Sequence, residues 1–242
     1  MLRLLLALLL SLCASSGVLA AIGTPTPITS TTLSSTASGS SITTTVDAPV
    51  GSLIIVAILS PQSTVTNVTD SAGNSYSKAI ASTTTTGYST SSIWYCNNSS
   101  IDLPSGGTIT VTLSSGNYYA VAAKTSGAIG GLDLTNTTLV NSTSLSLSTG
   151  TLNQSTEVVF GMISNFEGST SFVESANFTT LVTAYDQANL LDLAYDVVSA
   201  TTSVTYAPSW TGTVHVSGVI ASFCATNCAV SSQSFPLLGV GP

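Results

Sequence analysis

Short runs of branched and aliphatic residues, cut at intervals by Gly, Asn, Ser and Pro, constrain this chain more than any other feature. Thr108-Ile109-Thr110-Val111-Thr112-Leu113 alternates strictly, which puts Ile109, Val111 and Leu113 on one face of a strand. Leu53-Ile54-Ile55-Val56-Ala57-Ile58-Leu59 is a continuous apolar run ended by Pro61, the pattern of a strand buried on both faces. Residues 119–123, 144–148, 157–163 and 213–223 follow in the same style. Leu191, Leu193, Tyr195 and Val197 share a face opposite Asp192, Ala194 and Asp196. No stretch carries a helical period with caps and charged faces. The chain therefore reads as all-β, an antiparallel β-sandwich with a jelly-roll-like arrangement.

The two halves resemble each other. Gly51-Ser52-Leu53-Ile54-Ile55-Val56-Ala57-Ile58 parallels Ser155-Thr156-Glu157-Val158-Val159-Phe160-Gly161-Met162. Thr110 to Leu113 leads through a turn into Tyr119, as Ser203 to Tyr206 leads through Trp210-Thr211-Gly212 into Val214. Two pseudo-repeated strand sets packed into one sandwich are expected.

Around Val68-Thr69-Asp70-Ser71-Ala72-Gly73-Asn74-Ser75-Tyr76 the sequence resembles poorly characterised secreted and phage-associated β-sandwich proteins of bacteria. Ile93-Trp94-Tyr95-Cys96-Asn97, the alternating strand from Thr108, Lys124-Thr125-Ser126-Gly127 and the closing Val219-Ile220-Ala221-Ser222-Phe223 extend the likeness over most of residues 42–223. The resemblance implies a β-sandwich at a cell or virion surface and carries no catalytic residues with it. High Ser/Thr content and near absence of Arg depart from the usual pattern.

Charge narrows the function classes. Only 5% of the 242 residues are charged, while 43% are hydrophobic, enough for a real core. Lys and Arg number 3 against 10 Asp and Glu, and Arg3 lies at the N-terminus. Lys78 and Lys124 cannot neutralise enough phosphates to hold nucleic acid, nor form a polybasic membrane patch.

Residues 1–20 read as an export signal: Arg3 gives the positive start, a short apolar stretch follows, and Val18-Leu19-Ala20 suits cleavage after Ala20. A lipidated Cys13 and an uncleaved anchor are the alternatives. Residues 21–41, rich in Thr, Ser and Pro, are expected to form a linker or to donate an edge strand. The β-sandwich domain then spans 42–228, with a C-terminal tail over 229–242. Export permits disulfides: Cys224 and Cys228 are spaced to close a small loop, leaving Cys96 as the odd thiol or as a buried free cysteine. No cofactor and no metal-ligand set is expected from these spacings.

Candidate chemistry is sparse. His215 is the sole histidine, placed beside Thr213 and Ser217 on what reads as a solvated strand face, and no nucleophile elbow accompanies it. Glu157, Glu167 and Glu174 could supply a glycosidase pair. Asp70, Gly73 and Asn74 could hold calcium, although the same residues suit a plain turn. Trp94, Trp210 and Tyr118 are the candidate rings for stacking on carbohydrate, with half of each adjacent aromatic pair serving the core. Seven Asn-x-Ser/Thr sequons, beginning at Asn67, matter only in a glycosylating host. The expectation is a non-enzymatic secreted surface protein, a structural or adhesion module whose partner is a carbohydrate or protein surface. A phage virion protein (capsid decoration or fibre) is the alternative, and an extracellular carbohydrate-binding or carbohydrate-active protein is the second. Nucleic acid is excluded as a partner, no membrane contact is expected once the signal is cleaved, and edge-to-edge self-association stays open.

Overall fold

A computed structural model describes residues 21–225 and 228, apart from 33, 98, 129, 168–170, 187 and 188. The expectations for the export signal and for the 229–242 tail lie outside the described residues. Among the described residues the regular structure is seventeen strands, all paired antiparallel. The first half contains β1 (Thr26–Pro27), β2 (Thr36–Ala37), β3 (Ser41–Thr43), β4 (Leu53–Pro61), β5 (Val65–Asp70), β6 (Ser77–Ala81), β7 (Ser89–Cys96), β8 (Thr108–Leu113) and β9 (Asn117–Thr125). The second contains β10 (Gly131–Ser144), β11 (Leu147–Thr151), β12 (Glu157–Asn165), β13 (Phe172–Val173), β14 (Thr179–Asp186), β15 (Asn189–Val198), β16 (Ser203–Tyr206) and β17 (Ser209–Cys224).

Each half builds one large and one small sheet. The first half orders its large sheet β1-β9-β4-β7-β6, with β2 also on β9, and its small sheet β3-β8-β5. The second orders β10-β17-β12-β15-β14, with β13 also on β17, and β11-β16. The strand neighbours repeat: β9-β4-β7-β6 in one half is β17-β12-β15-β14 in the other, and β3-β8 is β11-β16. The repeat read from sequence is therefore present, but its register moves by one residue. Ile55 stands opposite Tyr95 and Ala123, and Phe160 stands opposite Tyr195 and Ala221, all against the same core. Aligning Ile54 with Val158, as sequence similarity suggested, pairs residues on opposite faces, because a one-residue slip flips every side chain.

The two large sheets pack face to face. Leu53, Ile55, Ala57 and Leu59 meet Val158, Phe160, Met162, Val219 and Phe223 there. The other face of each large sheet is covered by its own small sheet, over Ile54, Val56, Ile58, Ile109 and Val111 in the first half and Val159, Ile163, Val204 and Tyr206 in the second. The result is four layers, with β6 against β10 at one edge, β1 against β14 at the other, and β4 against β12 in the middle. Since β1 and β10 hold equivalent positions, as do β6 and β14, the halves are related by an approximate two-fold axis.

Residues 21–41 take the second of their two expected roles. β1 and β2 pair with β9, Ile28 is fully buried, and Thr29 Oγ1 accepts the Ala122 N–H at 2.9 Å. Two short pieces of this segment thus lie along the edge of the sheet.

Candidate functional site

The Asp70 turn is a closed hydrogen-bond hub. Asp70 Oδ1 accepts the backbone N–H groups of Ala72, Gly73 and Asn74 at 2.8–3.0 Å, and Oδ2 accepts Asn74 Nδ2 at 2.9 Å and the Tyr76 hydroxyl at 3.0 Å. Gly73 sits at φ +88°, which the turn requires. Buried Asn74 then ties the turn to Ile101 in both directions, through Nδ2 to the carbonyl and Oδ1 from the N–H. Five donors occupy the roughly four lone-pair sites of a carboxylate, so this turn offers a cation nothing. Burial, with the Asp70 charge nearby, pushes the free thiol of Cys96 up to about 11, and keeps the Tyr76 hydroxyl protonated.

The three rings proposed for sugar stacking are core residues. Trp94 and Tyr118 pack between the layers of the first half and Trp210 in the second. Tyr118 donates its hydroxyl to the Ser40 carbonyl at 2.7 Å, and Trp210 Nε1 to that of Ser142 at 2.9 Å. Their strands belong to sheets covered on both faces, so no ring plane is left to a ligand.

The candidate carboxylates are dispersed. Glu157 opens β12, and Glu167 lies beyond its other end, roughly 26 Å away or more at about 3.3 Å per residue. Glu167 belongs instead to His215: Oε1 lies 2.7 Å from Nδ1, and Oε2 accepts the His215 backbone N–H at 2.7 Å. Burial alone would raise the Glu167 carboxyl, but these two bonds hold it below its ordinary range. Tyr88 packs edge-on against the imidazole at 4.7 Å between ring centroids. The His215 face is not simply a solvated one. His215 is about one-third exposed (33%), but Ser217, two residues on, is fully buried and the same face continues into Val219, Ala221 and Phe223.

Two polar clusters escaped the sequence reading. Ser89, Ser91, Ser164 and Ser217 meet between the large sheets, with Oγ–Oγ distances of 2.6 Å (Ser91–Ser217), 2.7 Å (Ser91–Ser164) and 2.8 Å (Ser89–Ser164). Hydroxyls both donate and accept, so four of them satisfy one another without a charged partner. Alternate serines inside apolar strands were the available signal. In the second half, Asp192 is fully buried, with Thr183 Oγ1 donating to Oδ1 and the Tyr206 hydroxyl to Oδ2, each at 2.6 Å. Glu174 is its neighbour, itself accepting from Ser175 N at 2.7 Å and Thr180 Oγ1 at 3.1 Å. Burial, and then the charge of Glu174, raises the Asp192 carboxyl well above its usual range; burial raises Glu174 too. Raised together, the two carboxyls favour a state in which one of them stays protonated. Tyr206 lies flat over Gly161, where a Cβ would stand 2.5 Å from the ring.

What faces outward is hydroxyl. On the small sheet of the first half, Thr43 pairs with Thr108, Thr110 lies between Ser41 and Thr69, and Thr112 pairs with Asn67, while Ile42, Ile109, Val111 and Val68 point inward. The β11-β16 sheet repeats this with Ser148 opposite Thr205 and Thr151 opposite Ser203. A shallow groove of about 320 Å³ adjoins β3, walled by Thr29, Ser30, Thr32, Ser34, Thr36 and Ser41. Cys224 and Cys228 form a disulfide, as spaced. Lys124 donates to the Asp47 carbonyl. No protein-family model, curated protein or solved structure matches this chain, so the candidate surface rests on its own geometry.

Proposed function

We propose that this chain is an exported, non-enzymatic surface protein, a structural or adhesion module that engages its partner through the hydroxyl faces of its outer sheets. The observation that carries this reading is the row structure of Ser41, Thr43, Thr69, Thr108, Thr110 and Thr112 beside a groove of the same chemistry. Such a face offers many donors and acceptors and no net charge. Its partner is accordingly an uncharged polar surface, a glycan or a protein, held by many weak contacts acting together. Without charge, encounter is unsteered and nearly independent of salt.

The test is binding of the full chain to a glycan array and to intact cells, beside a T110K/T112K variant. Both substitutions lie on the outer face, so the fold should survive and binding should be lost. Binding that is unchanged in the variant, or turnover of a bound glycan, overturns the reading. Recovery of the chain in particles with coat proteins would favour the virion alternative.

A further inference from the structure

At one end of the second half three ligand-type side chains converge, and a fourth, Glu157, stands opposite one of them on the neighbouring strand. On the central strand β17, Cys224 stands opposite Glu157 of β12 on one side and Gly131 of β10 on the other. Asp133 follows on β10, at the bulge between Leu132 and Thr135. Cys228 returns to the same place, its N–H donating to the Gly130 carbonyl at 3.4 Å and its Sγ lying 3.3 Å from the Gly131 carbonyl. Both sulfurs and a carboxylate oxygen of Asp133 lie within 4.8 Å of one another.

The second observation is Glu157, fully buried beside this cluster. Its Oε1 accepts the Gln154 N–H at 3.0 Å, whereas Oε2 is buried without a hydrogen bond of good geometry, its polar neighbours being Asp133 and Ser222. A carboxylate oxygen left so is costly, and a disulfide gives it nothing. Asp133 is meanwhile oriented by Asn153, whose N–H donates to Oδ2 at 3.0 Å and whose Nδ2 donates to Oδ1 at 2.5 Å. Ligating carboxylates are commonly held by this kind of outer hydrogen bond.

We propose that Cys224, Cys228, Asp133 and Glu157 form a site for a thiophilic divalent cation of the zinc type, open only when the disulfide is reduced. A dithiol reductant supplies two electrons and two protons, the Cys224–Cys228 bond breaks to two thiols, and the reductant leaves as its own disulfide. The cation then displaces the thiol protons to solvent and binds both thiolates, and the two carboxylates complete a four-coordinate set of two sulfurs and two oxygens. In the oxidised protein the sulfurs are bonded to each other and the site is closed. Sequence spacing could not find this set, because Asp133 and Glu157 reach the cysteines only through strand pairing.

The test uses Co²⁺ as a spectroscopic probe on the full chain, reduced with a dithiol and desalted without oxygen. Reduced protein should take up one equivalent with a thiolate-to-cobalt charge-transfer band, and Zn²⁺ should displace it. Oxidised protein and a C224S/C228S variant should show no band, and E157Q should bind at least about tenfold more weakly. A reduced protein without the band, or an E157Q variant that binds like the original, overturns the proposal. If reduction unfolds the chain, Co²⁺ that fails to restore its β circular-dichroism spectrum overturns it equally.

Discussion

Replacing Asp192 by Asn tests whether a shared proton is built into the second half. Asp192 is fully buried, its two oxygens accept from Thr183 and Tyr206, and Glu174 lies beside it. Unfolded, both carboxyls ionise near pH 4. Folded, burial raises both and the charge of Glu174 raises Asp192 further, so the native state is expected to hold a proton that the unfolded state has lost. A folded value above the unfolded one contributes stability that is fully present below the unfolded pKa and is lost as pH rises through the folded value. For one proton the slope is about 1.4 kcal/mol per pH unit, or up to about 3 kcal/mol between pH 4.5 and 6.5. That is a large share of the roughly 5–15 kcal/mol by which a domain is stable. Asn imitates the protonated acid but gives up one acceptor, at a cost of about 1 kcal/mol. Urea unfolding followed by fluorescence suits the measurement, since Trp94 and Trp210 are buried one in each half. Near pH 4.5 the original protein should be the more stable by about 1 kcal/mol; the curves should cross on raising the pH, and D192N should be at least as stable by pH 7. E174Q should flatten the profile in the same way. Parallel profiles for D192N and the original protein from pH 4.5 to 7.5 would refute the shared proton.

Gly161→Ala places a methyl group 2.5 Å from the Tyr206 ring, so urea denaturation should show a loss of about 1–3 kcal/mol. Asp70→Ala leaves five donors of the 70–76 turn without their acceptor, and the melting temperature should fall by several degrees, while a chelator added to the original protein should leave it unchanged. Ser217→Ala breaks the serine cluster and should cost about 1–2 kcal/mol in the same unfolding assay, because partner hydroxyls stay buried.

Strand positions were legible because their signals are local. The run from Leu53 to Leu59 and the alternation from Thr108 to Leu113 became β4 and β8, and the likeness between residues 51–58 and 155–162 marked equivalent strands. Orientation was not legible. Ser and Thr fit either face of a strand, so they could not fix the repeat register to better than one residue. The Thr/Pro-rich segment over 21–41 pairs with β9 through backbone groups, which leaves no side-chain pattern to read. Alternation set Asp192 on the face opposite Leu191 and Leu193 but could not show that this face too is covered; it is buried there against Tyr206.

The common cause is the number of layers. Alternation assigns one face to the core and one to water only when a sheet has a wet side, and β4, β7, β9, β12 and the latter part of β17 have none. Polar residues on those strands go inside whatever the alternation says, and must then find partners there. The four serines and the pair Glu174–Asp192 are two solutions: hydroxyls that satisfy one another, and carboxyls whose ionisation is opposed by burial and held by neighbouring hydroxyls. Trp94, Tyr118 and Trp210 are drawn inward by the same arrangement, which takes these three rings away from any stacking role. On the proposed function, the sheet faces offered to a partner are the outer faces of β3-β8-β5 and β11-β16, both lined with hydroxyls. A partner for such a surface has to be recognised by hydrogen bonds in register with the strands, about 4.8 Å apart across them and roughly twice 3.3 Å along them.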